Sequence, residues 1–108
     1  MKLGIILQSN SAEHIWNTLR LANASIGAGH SAQIVLFNEG VEIEDIADTA
    51  EFDISKKLKE FKESGGKIFA CKTCLKFRSK SESKICPTTT MEDLLKMIEV
   101  SDKVLVFG

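Results

Sequence analysis

At 108 residues, with 44% hydrophobic and 27% charged side chains, the chain has the size and composition of one globular domain, and neither a second domain nor a disordered class fits. Fourteen basic residues against fifteen acidic ones leave a formal net charge of −1, which excludes a basic phosphate-backbone footprint; one Trp and no Tyr leave no platform for stacked bases. No apolar run approaches bilayer length, and the N-terminus lacks the basic start and long apolar core of a secretory signal, so the expectation is a cytoplasmic protein with neither a membrane nor a nucleic-acid partner.

Lys2 to Leu7 is a continuous apolar run, the pattern of a strand buried on both faces. Asn10 is placed to cap the helix that follows, with Glu13 completing a capping box. Ile15, Leu19, Ala22 and Ile26 share one helical face, and Gly27 and Gly29 stop the helix. Ala32 to Phe37 reads as the second strand and Asn38, Glu39 and Gly40 as its exit loop; Glu44 to Ala50 carries a weak helical pattern. Ile54, Leu58 and Phe61 mark the next helix, closed by Gly65 and Gly66. Lys67 to Cys71 is the third strand, and Thr73 to about Lys80 a short helix with a basic outer face. Ile85 to Pro87 is expected as a short fourth strand at an edge, because Pro87 has no N–H to give to a ladder. Thr90 caps the last helix, with Asp93 at its third position and Leu94, Leu95 and Ile98 facing inward; Lys103 to Phe107 is the fifth strand.

Short apolar runs alternating with helical ones predict a single three-layer α/β domain over 1–108, with a five-stranded, mostly parallel sheet and helices on both faces. Right-handed crossovers put every strand-to-helix turn on one rim, where ligands of open sheets bind. Gln8, Ser9, Asn10 and Ser11, then Asn38, Glu39 and Gly40, then Cys71, Lys72, Thr73 and Cys74 should therefore meet there.

Three cysteines is an odd count and does not suit a closed disulfide framework. Cys71 ends a strand at the start of a helix, where unpaired N–H groups and the nearby Lys72, Lys76 and Arg78 favour a thiolate; the competing reading is a small buried core residue. Cys74, three residues on, makes a CxxC pair, the usual dithiol redox spacing, although the proline expected opposite a thioredoxin-like site has no counterpart. Cys71, Cys74 and Cys86 supply three zinc ligands where a structural site needs four, and neither His14 nor His30 shows paired spacing, so no metal is expected. Cys86 reads as a core residue of the short fourth strand. Nothing in the sequence calls for a cofactor.

Taken together, the N-terminal strand and helix, FNEGV at Phe37–Val41, KIFACKTCLKFR at Lys67–Arg78 and TMEDLLKMIEVSDKVLVFG at Thr90–Gly108 resemble the DsrE/DsrF-like family of the sulfur-relay group, with its TusD and YchN types. The resemblance implies a flavodoxin-like sheet assembled into homotrimers or hexamers. It also implies that the cysteine ending the third strand, here Cys71, carries sulfur as a persulfide between donor and acceptor proteins, as a sulfurtransferase component. Cys74 departs from the family's usual pattern. The rival expectations are a CxxC redox or redox-sensing protein and a non-catalytic oligomeric binding module.

Overall fold

In the computed structural model, which describes residues 1–108, the opening apolar run forms β1 (Lys2–Leu7) and occupies the interior of the sheet. It is followed by α1 (Ala12–Gly27), β2 (Ser31–Leu36), a 3₁₀ segment over Asn38–Asp45, α2 (Ile54–Glu63), β3 (Lys67–Cys71), α3 (Lys72–Phe77), β4 (Thr88–Thr89), α4 (Met91–Val100) and β5 (Lys103–Phe107). The strand order is β4-β3-β2-β1-β5, and every pairing is parallel. The result is the α/β sheet that the alternation of patterns predicts.

The two faces are unequally covered. Leu3, Ile5 and Leu7 of β1 join Ile34, Leu36 and Ile68 against α1 (Ile15, Leu19, Ala22) and α2 (Ile54, Leu58, Phe61), forming the larger core. On the opposite face only α4 packs, setting Leu94 and Met97 against Val35, Ile6 and Phe37. Gly4 permits this approach: a Cβ there would lie 2.3 Å from Met97 Sδ and 2.7 Å from Ser101 Oγ.

Four local expectations are corrected. Ser11 rather than Asn10 is the N-cap of α1, because the Ser9 hydroxyl accepts from the Ser11 N–H at 3.0 Å and delays helix entry by one residue. The helical turn after β2 is the 3₁₀ segment, which ends at Asp45 instead of continuing to Ala50. The fourth strand is Thr88–Thr89; Ile85 to Pro87 precedes it, and Pro87 contributes its carbonyl, which accepts from the Ala70 N–H at 2.8 Å. Leu94 faces inward with Met97 as its partner, whereas Leu95 and Ile98 are 57% and 40% exposed. A ten-residue helix resting alone on a sheet buries a narrow stripe, and the neighbouring positions turn outward. The Thr90 cap stands as expected: its hydroxyl accepts from the Asp93 N–H at 3.2 Å.

Phe61 is fully buried at the centre of the larger core, so Phe61→Ala should lower the unfolding free energy by about 3–5 kcal/mol in a urea titration. A Cβ on Gly40 would fall 2.0 Å from the Leu7 carbonyl oxygen, a backbone atom with little freedom to move. Gly40→Ala should therefore cost about 2 kcal/mol or more despite adding one methyl group.

Candidate functional site

The parallel sheet gathers its strand ends on one rim, and the three segments singled out in the sequence do meet there. The Asn38 amide donates to Gln8 Oε1 at 3.0 Å, and the Asn38 backbone N–H donates to Cys74 Sγ at 3.2 Å. Asn38 reaches both from a left-handed backbone conformation, φ +51°, which Asn tolerates better than most side chains. Gly40 is packed against the end of β1, while Glu39 is exposed beside it. Ser9 bonds His14 Nδ1 at 2.8 Å, and Asn10 donates to Glu42 at 3.4 Å.

Cys71 is at once the last residue of β3 and the N-cap of α3. It belongs to the larger core and also borders a crevice of about 10 Å³ toward α4, lined by Val35, Phe37, Thr89, Thr90, Met91 and Leu94. That volume is about the room one water needs. Cys71 is 8% exposed, and Lys72 and Thr73 beside it are open to solvent. Ser9, Asn10, Glu39 and Gly40 belong to the rim but do not line this crevice. Its walls come instead from the end of β2, from β4 and from the first turn of α4. Sequence reasoning missed them because the apolar positions read as ordinary core. The available signal was the Thr90 cap, which sets a helix start beside the end of β3 once β4 is placed as its neighbour.

Cys74 lies behind Cys71, equally buried. Burial first, and then the hydrogen bond it makes to Cys71, push the Cys74 thiol above its ordinary range; the Asn38 N–H and the Arg78 charge act in the other direction. Arg78 ties this helix down. Its Nε–H donates to Glu42 Oε2 at 2.7 Å and its Nη1 to the Cys74 carbonyl at 3.1 Å, and the first contact holds the Glu42 carboxyl below the usual range. Lys80 to Asp45 and Ser83 to Glu44 fasten the loop after α3 to the same 3₁₀ segment.

Cys86 is 4% exposed and belongs to the larger core, as expected, although it lies outside the strand. Burial, reinforced by the charge of Glu44, pushes its thiol up to about 12. No group of three or more His, Cys, Asp and Glu side chains is arranged to hold a metal ion, and no helix is long and apolar enough to cross a membrane.

The model of the DsrE/DsrF-like family matches residues 1–107. The chain belongs to that family. The crystal structure of the ychN protein from E. coli superimposes with a TM-score of 0.83 at 22% identity, covering 99% of this chain and all of that one. A conserved protein of unknown function, BT1422 from Bacteroides thetaiotaomicron, gives 0.76 at 19% identity over 97% of this chain and 93% of that one. At these identities the two structures show a shared DsrE-type fold. No curated protein matches in sequence.

The Cys86 thiol yields a test of this arrangement. Its folded value lies above the ordinary 9.0, so the native state holds the proton more tightly than the unfolded chain does. The associated stability is complete below about pH 9 and is lost as pH rises toward about 12. The urea midpoint should fall between about pH 9 and pH 11, and Cys86→Ala should flatten that slope.

Proposed function

We propose that this chain is a cytoplasmic sulfur carrier, a sulfurtransferase component in which Cys71 takes up sulfur as a persulfide and passes it to a partner thiol. The observation that carries the reading is the placement of Cys71 at the end of β3, in a DsrE/DsrF-like chain, facing a crevice of atomic size. The Cys71 thiolate attacks the sulfane sulfur of a donor persulfide or thiosulfate-like compound. One S–S bond forms on Cys71 as the donor's bond breaks, and the donor leaves as its thiolate or sulfite. An acceptor thiolate then takes the outer sulfur, and the Cys71 thiolate returns.

The crevice supports this reading chemically. Phe37, Met91 and Leu94 give it apolar walls that keep bulk water from the outer sulfur, while the Thr89 and Thr90 residues border it on one side. Exposed Lys72 puts a cation beside the site, where an anionic donor must approach. Ser9, Asn10, Asn38, Glu39, Lys72 and Thr73 are proposed as the rim surface that donor and acceptor proteins contact, with buried Gly40 bringing the Asn38 turn close against the end of β1.

The same reading assigns a homo-oligomer, trimer or hexamer, to the exposed face of α4. Met91, Leu95, Ile98 and Val100, with Val106 of β5, are between 40% and 61% exposed. Such a grouping of large apolar side chains marks a contact surface in soluble proteins.

Incubation with thiosulfate or with a low-molecular-weight persulfide, followed by intact-mass measurement, tests the carrier. The wild type should gain the mass of one sulfur atom, and so should Cys86→Ala; Cys71→Ser should gain none. Absence of any adduct on both the wild type and Cys74→Ala refutes the reading. Sedimentation at low micromolar concentration should give a species larger than a monomer, and Leu95→Glu should shift it toward the monomer without loss of helical signal.

A further inference from the structure

Cys71 and Cys74 stand at the N-cap and the third residue of a helix that begins with no intervening loop, and both are buried. Cys71 fronts the crevice; Cys74 does not line it. Behind Cys74 the Asn38 N–H points at its sulfur at 3.2 Å, held there by the Asn38–Gln8 bond. Accepting and reserve thiols are thus arranged in depth, with a hydrogen-bond donor already in place for negative charge on the inner one.

We infer that Cys74 is a resolving thiol that discharges the Cys71 persulfide as sulfide when no acceptor occupies the crevice. This rests on the carrier reading given above. The Cys74 sulfur attacks Cys71 Sγ. A Cys71–Cys74 bond forms and the bond from Cys71 to the outer sulfur breaks. The outer sulfur leaves with the bonding pair and takes up the Cys74 proton as HS⁻. It is thereby reduced to sulfide by two electrons, and the two cysteine sulfurs are oxidised to a disulfide. An external dithiol supplies the two electrons and two protons that reset the pair.

The direction of attack follows from placement. Exchange depends on which sulfur the attacking thiol can reach. Cys74 lies within one helical turn of Cys71 and outside the crevice, so Cys71 Sγ is the nearer sulfur, and an outer sulfur would lie on the crevice side. Buried and protonated, Cys74 does not compete for the donor; as its charge develops, the Asn38 N–H at 3.2 Å and the Arg78 charge stabilise it. Three residues of separation also suit disulfide geometry. Cys86 stays out of the exchange, because it is buried in the core beside Glu44.

Two measurements on the full chain test this. Persulfide-loaded wild type, freed of donor and left without reductant, should release one equivalent of sulfide and become lighter than the reduced protein by two hydrogens. Cys74→Ala should release about tenfold less sulfide and keep the added sulfur. In the second, one equivalent of methyl methanethiosulfonate places a small methylthio group on Cys71 without any sulfur donor. Wild type should expel methanethiol and form the Cys71–Cys74 disulfide, assigned by peptide mapping, whereas Cys74→Ala and Cys74→Ser should keep the adduct. A lasting methylthio adduct on wild-type Cys71 overturns the resolving role, whether or not the protein loads sulfur. Failure to load sulfur while the methylthio group is expelled overturns the carrier reading and the discharge of sulfide, leaving only a dithiol pair. No reaction at Cys71 with either reagent overturns both.

Discussion

The passage from β3 into α3 contains no spare residue, and this constraint fixes the site. Cys71 completes the ladder to β4 through its pairing with Thr89 and in the same position begins the next helix. A loop of even two residues would free its sulfur to sample the rim. Here the sheet holds the backbone, and Phe37, Leu94 and Met91 confine the side chain from the opposite side. Confinement of this sort reduces the motion of the sulfur, and holding atoms close is what makes reaction between them fast. The Arg78–Glu42 pair and the Asn38–Gln8 bond extend the support outward from Cys74 to the 3₁₀ segment and to the residue after β1.

The unequal faces of the sheet divide labour between stability and access. The larger core holds Phe61 and all the fully buried aliphatic side chains but Val35, and it would serve any protein of this architecture. The other face bears one helix with a two-residue buried stripe, and the crevice beside Cys71 opens at that helix's first turn. Sites gather where packing is thinner, because side chains must be reached there and partners must dock.

Strand limits were legible where the apolar run was long and ended sharply. Lys2–Leu7 and Lys67–Cys71 fall where the sequence places them, since burial leaves an unbroken apolar signature; Lys103–Phe107 does so too, although it is an edge strand with Val106 exposed. The fourth strand was misplaced because a two-residue ladder has no periodicity to read, and Pro87 marks its neighbourhood without marking its register. Leu95 and Ile98 misled for a different reason. Their spacing from Leu94 is helical, but whether a helix buries one stripe or two depends on what lies beneath it, which is a tertiary fact. The meeting of residues 8, 38 and 74 followed from topology alone, whereas the walls around Cys71 came from α4, whose side-chain pattern announces core and says nothing of a cleft.

Position 4 has an influence out of proportion to its size. Where β1 passes under α4 there is only a hydrogen on the Cα, and Met97 Sδ settles into that space. Leu94, which helps wall the crevice, lies one turn earlier on the same helix. An alanine in β1 would act as a shim: it would prise the far end of α4 upward and tip the near end, altering the clearance above a sulfur two strands away without touching it.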